Sequence, residues 1–239
     1  MEHVLLVGDD NTYLRRRGER VELQEGVLDA EDLDAAYGET VETHIGEAFD
    51  VVRPDLNDLF DRALEQKTQT VSHKDAGYIV SRTGIGGDST VAEAGTGSGF
   101  LTLVLARAAG EVRSYEVRAD HLEPARRNVE KVGADNVTLR ERDVKQDGFD
   151  GGNDVVVLDM MHPEEAVPDA ADAVRSGGYV VCYCPVLEQV RDCVDAFDDA
   201  GLAHTETVET SRREWRAFPA RPEPQTVPHT AFLTFGRRM

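Results

Sequence analysis

Lysine is nearly missing from this chain of 239 residues: only 4 of its 26 basic residues, Lys67, Lys74, Lys131 and Lys145, are not arginine. Acidic residues number 46, and the formal net charge is −20. Many carboxylates with little lysine keep a surface hydrated in concentrated salt, where the Debye length falls to about 3 Å at 1 M and self-repulsion is screened. The expectation is a halophilic protein of archaeal origin that unfolds when salt is withdrawn. Cysteine is scarce too. Cys182, Cys184 and Cys193 are odd in number and lack zinc spacing. Buried free thiols are expected, and no metal. No run of 18 or more apolar residues occurs, so no membrane-spanning helix is expected. Met1–Val7 lacks the basic region and apolar stretch of a leader. The expected compartment is the cytoplasm, with no membrane partner.

An apolar share of 40% supports one large domain, or one domain plus a small accessory unit. Residues 1–53 alternate short apolar or β-branched stretches with Gly18, Gly26, Gly38 and Gly46, which predicts a small all-β module. Residues 54–89 read as a helical connector. Leu56, Leu59, Phe60 and Leu64 share one helical face, and a second helical stretch covers Asp75–Arg82. From residue 90 to 239, strands at about 90–94, 112–116, 136–140, 153–158 and 178–184 alternate with helices at about 99–109, 119–132, 164–175 and 187–200. That rhythm predicts an α/β domain with a doubly wound, mostly parallel sheet. Two β-like runs, Ala203–Thr210 and Ala231–Gly236, close it around a loop carrying Pro219, Pro222, Pro224 and Pro228.

The most informative stretch is Val91-Ala92-Glu93-Ala94-Gly95-Thr96-Gly97-Ser98-Gly99. A buried strand runs into three alternate glycines and then a helix. Glycine there lets the backbone turn tightly and lie against a ligand. Glu116 ends the next strand, placed to accept the hydroxyls of a ribose. The dinucleotide fingerprint needs a small sixth residue; here that position is Phe100. The acidic Glu93 before the glycines suits a donor with cationic groups, such as the sulfonium and amine of S-adenosylmethionine (AdoMet). The turn resembles the first motif of class I AdoMet-dependent methyltransferases. Asp159 ends the apolar strand Asp154–Leu158, where a carboxylate is costly unless paired or facing a cleft.

Four ordered segments resemble one family, the tRNA (adenine-N1)-methyltransferases that modify adenosine 58 of the T-loop. Gln69–Ile79 resembles its P-Q-x-x-x-P-K-D-x-G-x-I, and Glu93–Thr102 its E-A-G-x-G-S-G-x-L-T. Tyr115–His121 resembles Y-E-x-R-x-D-H, and His229–Phe235 resembles H-T-G-Y-L-x-F. Thr68 and His73 depart from prolines common in the family. Asp159-Met160-Met161-His162-Pro163 departs from D-L-P-x-P. The resemblance implies transfer of a methyl group from AdoMet to N1 of adenine 58, in a homotetramer with tRNA as partner. It implies that Gly95, Gly97, Ser98, Gly99, Phe100 and Leu101 wrap AdoMet through the backbone. Glu116 would hold the ribose, with His121 beside it, and Asp143 would take the adenine amino group. Asp159 would be catalytic and also near the cofactor. Candidate walls for the extruded base are Tyr78, Met160 and Met161.

Arginines cluster at Arg15–Arg17 with Arg20, at Arg126-Arg127, at Arg212-Arg213 with Arg216, and at Arg237-Arg238. Arginine binds phosphate bidentately and stacks on bases. The stretch around Trp215 is the candidate RNA contact. Three other readings stay open. One is another class I methyltransferase, acting on protein isoaspartate or a small molecule, which the His229–Phe235 tail and the N-terminal module oppose. Another is a non-catalytic RNA-binding subunit, which the intact cofactor motif opposes. The last is a nicotinamide dehydrogenase, which Phe100 opposes.

Overall fold

The computed structural model describes residues 3–217, 221–226 and 229–239. The chain divides into two compact units, Met1–Glu65 with Glu130–Gly133, and Gln66–Val129 with Ala134–Met239.

The first unit holds strands β1 (His3–Val7), β2 (Thr12–Arg16), β3 (Val21–Leu23), β4 (Gly26–Leu28), β5 (Thr40–Glu42) and β6 (Ala48–Val52), then helix α1 (Leu56–Arg62). An antiparallel sheet has the order β2-β1-β6-β5, and β3–β4 form a separate hairpin. Strand β6 buries Phe49 and Val51 and exposes the residues between them, the period-two pattern of a sheet with one wet face. These two join Val4, Leu6, Leu28 and Leu33 in the core. A capping box starts α1: Asp55 accepts the Asn57 and Asp58 amides, and Asp58 accepts the amide of Asp55.

The second unit runs α2 (His73–Thr83), β7 (Thr90–Ala94), α3 (Phe100–Ala108), β8 (Glu111–Glu116), α4 (Ala119–Val132), β9 (Val137–Glu141), α5 (Val144–Asp147), β10 (Asn153–Leu158), α6 (Val167–Ala173), β11 (Val174–Cys184), α7 (Leu187–Asp199), β12 (Leu202–Glu209), β13 (Arg213–Arg216), β14 (Arg221–Thr226) and β15 (Phe232–Arg238). Seven strands form one sheet in the order β12-β15-β11-β10-β7-β8-β9. The pairs from β11 to β9 are parallel, while β15 is antiparallel to both its neighbours. Alternate residues of the central strands enter opposite cores. Ala92, Val156 and Cys182 pack with Val190 and Phe197 on one face, and Val91, Val157 and Val181 with Ile79 and Leu105 on the other. Burial on both faces explains their near-continuous apolar sequence. Strand β7 lies between β10 and β8, so the strand order reverses there and opens a crevice at the carboxyl ends.

The α/β sheet and the N-terminal β module agree with expectation. Three details differ. The helix expected at 164–175 is a 3₁₀ turn at Pro163–Ala166 followed by the short α6, each with proline in its first turn. Strand β11 starts at Val174, with a register break opposite Asn153–Val155. The expected proline loop contains a ribbon, β13–β14, pairing Trp215 with Pro222. Pro219 and Pro228 lie outside the described residues. The three cysteines are free and buried, with Cys184 Sγ 3.7 Å from Cys193 Sγ. No described helix is long and apolar enough to cross a membrane.

Candidate active site at the carboxyl ends of the strands

Two of the glycines after β7 are held where no side chain fits. A Cβ on Gly95 would lie 1.7 Å from the Asp159 carbonyl oxygen, and one on Gly97 would lie 2.7 Å from Thr68 Oγ1. Both have positive φ, 96° and 53°. Gly99 does a different job. It enters α3 with φ of 82°, and a Cβ there would meet Ala125 of α4 at 3.4 Å. Glu116, at the end of β8, braces the turn by accepting the amides of Gly97 and Arg118, each at 3.0 Å. His121 Nδ1 lies 3.9 Å from Glu116 Oε2. Asp143 caps α5, accepting from the Lys145 amide at 3.1 Å and Gln146 Nε2 at 2.7 Å.

These elements line an open cleft of about 440 Å³, bordered by Gly95, Gly97, Glu116, His121, Asp143 and Asp159. Met160, Met161, Arg118, Arg142 and Lys145 also line its wall. A side pocket of about 20 Å³ is lined by Glu93, Ser98, Phe100 and Leu101, again with Asp159. Gly99 lines neither. Tyr78 is not part of the wall: it packs edge-on to Phe235 at 5.9 Å and hydrogen-bonds Glu206 at 3.3 Å.

The electrostatics of the pocket are unusual. Glu93 is fully buried. Its Oε2 accepts from the Thr102 and Ser114 hydroxyls, and its Oε1 has no partner. Burial pushes the Glu93 carboxyl up to about 8; the two hydroxyls pull it down, and Asp159 and Glu116 raise it further. Asp159 is pushed up to about 7, first by burial and then by the charge of Glu116. The Asp159 amide donates to Ala94 O at 2.9 Å, but its carboxyl has no hydrogen-bond donor among the described residues. The loop that follows is held by Lys145, which donates to Met161 O at 2.9 Å and pairs with Glu165 at 2.7 Å. Within this loop, Met161 is 79% exposed, and His162 is the one non-glycine residue with positive φ among those described.

Sequence reasoning missed the segment that roofs the glycine turn. Thr68 and Gln69 line both pockets. Thr68 Oγ1 accepts the Ser98 amide at 3.2 Å, and the Lys67 amide donates to Ser98 Oγ at 2.8 Å. Thr68 had stood out only as a departure from a family proline. Thirty residues separate it from Ser98, so no local pattern joins them.

The protein family described as "tRNA methyltransferase complex GCD14 subunit" matches residues 51–219. The chain belongs to this family. A relative from Thermus thermophilus, tRNA (adenine(58)-N(1))-methyltransferase TrmI, is 39% identical over 217 residues, covering 86% of this chain and 83% of its own. A Methanocaldococcus jannaschii relative, tRNA (adenine(57)-N(1)/adenine(58)-N(1))-methyltransferase TrmI, is 30% identical and covers 94% and 90%. Among solved structures, the tRNA (m1A58) methyltransferase TrmI of Aquifex aeolicus superposes with a TM-score of 0.81 at 28% identity, covering 100% of this chain and 97% of its own. A Thermotoga maritima structure described as a SAM-dependent O-methyltransferase gives 0.86 at 27%, covering 100% and 93%.

Two of the four arginine clusters of this GCD14-family chain serve its own backbone. Arg17 donates to the carbonyls of Leu33 and Ala35, Arg237 to that of Gly177, and Arg238 to that of Val174. Arg20 pairs with Glu22 and Asp29. Arg213, Trp215 and Arg216 stand exposed on β13, with Trp215 at 61%.

Proposed function

We propose that this chain transfers a methyl group from AdoMet to N1 of adenine 58 in the tRNA T-loop, giving 1-methyladenosine. The observation that carries the reading is Asp159, which lines both the cleft and the side pocket and whose carboxyl has no donor of its own among the described residues. The residues present fit AdoMet. Gly95 and Gly97 line the cleft with bare backbone, packed where a Cβ would strike Asp159 and Thr68, and Glu93, whose Oε1 is orphaned, lines the side pocket. When bound, AdoMet supplies an electrophilic methyl on a cationic sulfur.

In this reading Ser98, Phe100 and Leu101 hold the methionine end through the backbone, and Glu93 faces its cationic groups. Glu116 has lone pairs left beyond its two amide contacts and takes the ribose hydroxyls. His121 lies alongside, and Asp143 accepts from the adenine amino group. Adenine N1 has a free lone pair, so no base is required for attack. Methylation makes the ring cationic and its N6 amino group acidic. Asp159 orients the target base and stabilises that charge, while fixed positioning of the two reactants lowers much of the remaining barrier. The base must leave its stack to arrive. Met160 and Met161 border its route, and the β13 arginines with Trp215 meet the RNA by phosphate pairing and stacking. We extend the reading to a homotetramer working in high salt.

The test is incubation with labelled AdoMet and unmodified tRNA in high salt, followed by nucleoside analysis. Label in 1-methyladenosine at position 58 is the expected result. Label elsewhere, or none, overturns the reading.

A further inference from the structure

Three carboxylates converge on the donor end of the cleft, and no cationic side chain bonds to the innermost two. Glu93 is met by Thr102 from α3, by Ser114 from β8, and by the charges of Glu116 and Asp159. Asp159 is met by Glu116, and from β11 by Tyr183, whose phenol is pushed up to about 12 by burial, by Asp75 and in part by Asp159. The basic groups on the rim are engaged elsewhere: Arg118 with Asp120, Arg142 with Asp150, and Lys145 with Glu165. His121 faces Glu116, and Asp143 is tied up capping α5.

We infer that Glu93 and Asp159 make this site read the charge on the donor's sulfur, holding the sulfonium of AdoMet against the neutral thioether S-adenosylhomocysteine with a preference that grows as pH rises. The inference rests on the reading of this cleft as the AdoMet site. In transfer, the C–S bond breaks and its electron pair stays on sulfur, while the adenine N1 lone pair forms the new N–C bond. Positive charge therefore leaves the sulfur and appears on the purine. Once the methylated base departs, the buried Glu93 carboxyl and the half-buried Asp159 carboxyl are left beside a neutral sulfur.

Burial already favours the protonated form of both groups near neutral pH, Glu93 up to about 8 and Asp159 up to about 7. A ligand with cationic sulfur displaces such a proton; a thioether does not. Each proton displaced makes affinity change about tenfold per pH unit below the free group's titration. The two ligands share their amino and carboxylate ends, so the ratio of their affinities isolates the charge on sulfur. Glu93 and Asp159 thereby act as determinants of donor-over-product specificity, apart from any role in the methyl transfer.

Isothermal titration of the intact protein with each ligand at pH 6, 7 and 8, at one salt concentration, tests this. The expected ratio Kd(S-adenosylhomocysteine)/Kd(AdoMet) rises by about a hundredfold or more from pH 6 to 8. Glu93→Gln and Asp159→Asn each flatten the rise, and together they abolish it. A ratio independent of pH in the wild type overturns the inference, and so does a rise that survives in the double variant. The wild-type measurement decides the first point without any variant having to fold. Binding of neither ligand at any pH overturns the reading of the site itself, a separate result.

Discussion

Two buried carboxylates in the same unit have opposite surroundings. Asp75, in the first turn of α2, and Glu93, at the end of β7, are both inaccessible to solvent. Lys74 Nζ reaches both Asp75 oxygens, at 2.8 and 3.0 Å, and the hydroxyls of Ser72, Thr210 and Thr230 also donate to them. Burial alone raises the Asp75 carboxyl, but Lys74 and the hydroxyls outweigh it and hold it below the usual range. Glu93 has two hydroxyls, no cation and one orphaned oxygen. A buried charge that is fully paired fastens elements together. One left short of partners, beside a pocket, is arranged for something that arrives later.

The sharpest way to break this contrast is to make Asp75 resemble Glu93. Lys74→Met leaves a buried carboxylate without its cation and is expected to cost about 3–5 kcal/mol of stability by denaturant unfolding. A loss below about 1 kcal/mol would mean that the network fastens nothing. On the pocket side, Asp159→Ala should cut turnover at least about 100-fold, the scale of losing a transition-state electrostatic contact. AdoMet affinity should stay within about tenfold, and an unimpaired rate removes Asp159 from the chemistry.

The pH dependence of stability separates the two carboxylates next. Asp75 has a lowered folded pKa, so its contribution is present at neutral pH and is lost as pH falls through the acid range. Glu93 is raised from 4.5 to about 8, so the native state binds the extra proton and stability falls as pH climbs through that window. The donor-free protein should therefore lose on the order of 1–3 kcal/mol between pH 5 and 8. Glu93→Gln should reduce that slope in thermal melts, Asp159 supplying the remainder; an unchanged slope removes Glu93 from it. The smallest effect concerns the roof over the glycine turn. Thr68→Val removes the acceptor for the Ser98 amide at nearly constant shape. It should cost about 1 kcal/mol and weaken AdoMet binding a few-fold in calorimetry.

Legibility in the sequence followed distance along the chain. Glu93, the alternate glycines and Glu116 could be read because a strand, a turn and the next strand are consecutive, and spacing alone fixes their relation. Asp143 and Asp159 could be placed because each follows a predicted strand whose carboxyl end faces the crevice. The clasp on Asp75 was invisible, since Thr210 and Thr230 come from more than 130 residues away. Thr68 over Gly97 was hidden for the same reason. Tyr78 misled because an aromatic on a helix face gives no sign of whether it turns to a cleft or to a core. The ribbon β13–β14 was concealed by its prolines, which are tolerated where a strand has few neighbours.

The place of β15 between β11 and β12 has a bearing on how the polypeptide is made. Strand β12 is made first, yet among the described residues its sheet partner is β15, whose first residue comes 23 positions after the last of β12. At translation speeds of about 5–20 residues per second, two naked strand edges wait on the order of seconds before the closing strand emerges. That interval is when a nascent chain is open to pairing with a stranger. The detour through β13 and β14 lengthens it, so the late steps of synthesis expose this enzyme to misassembly.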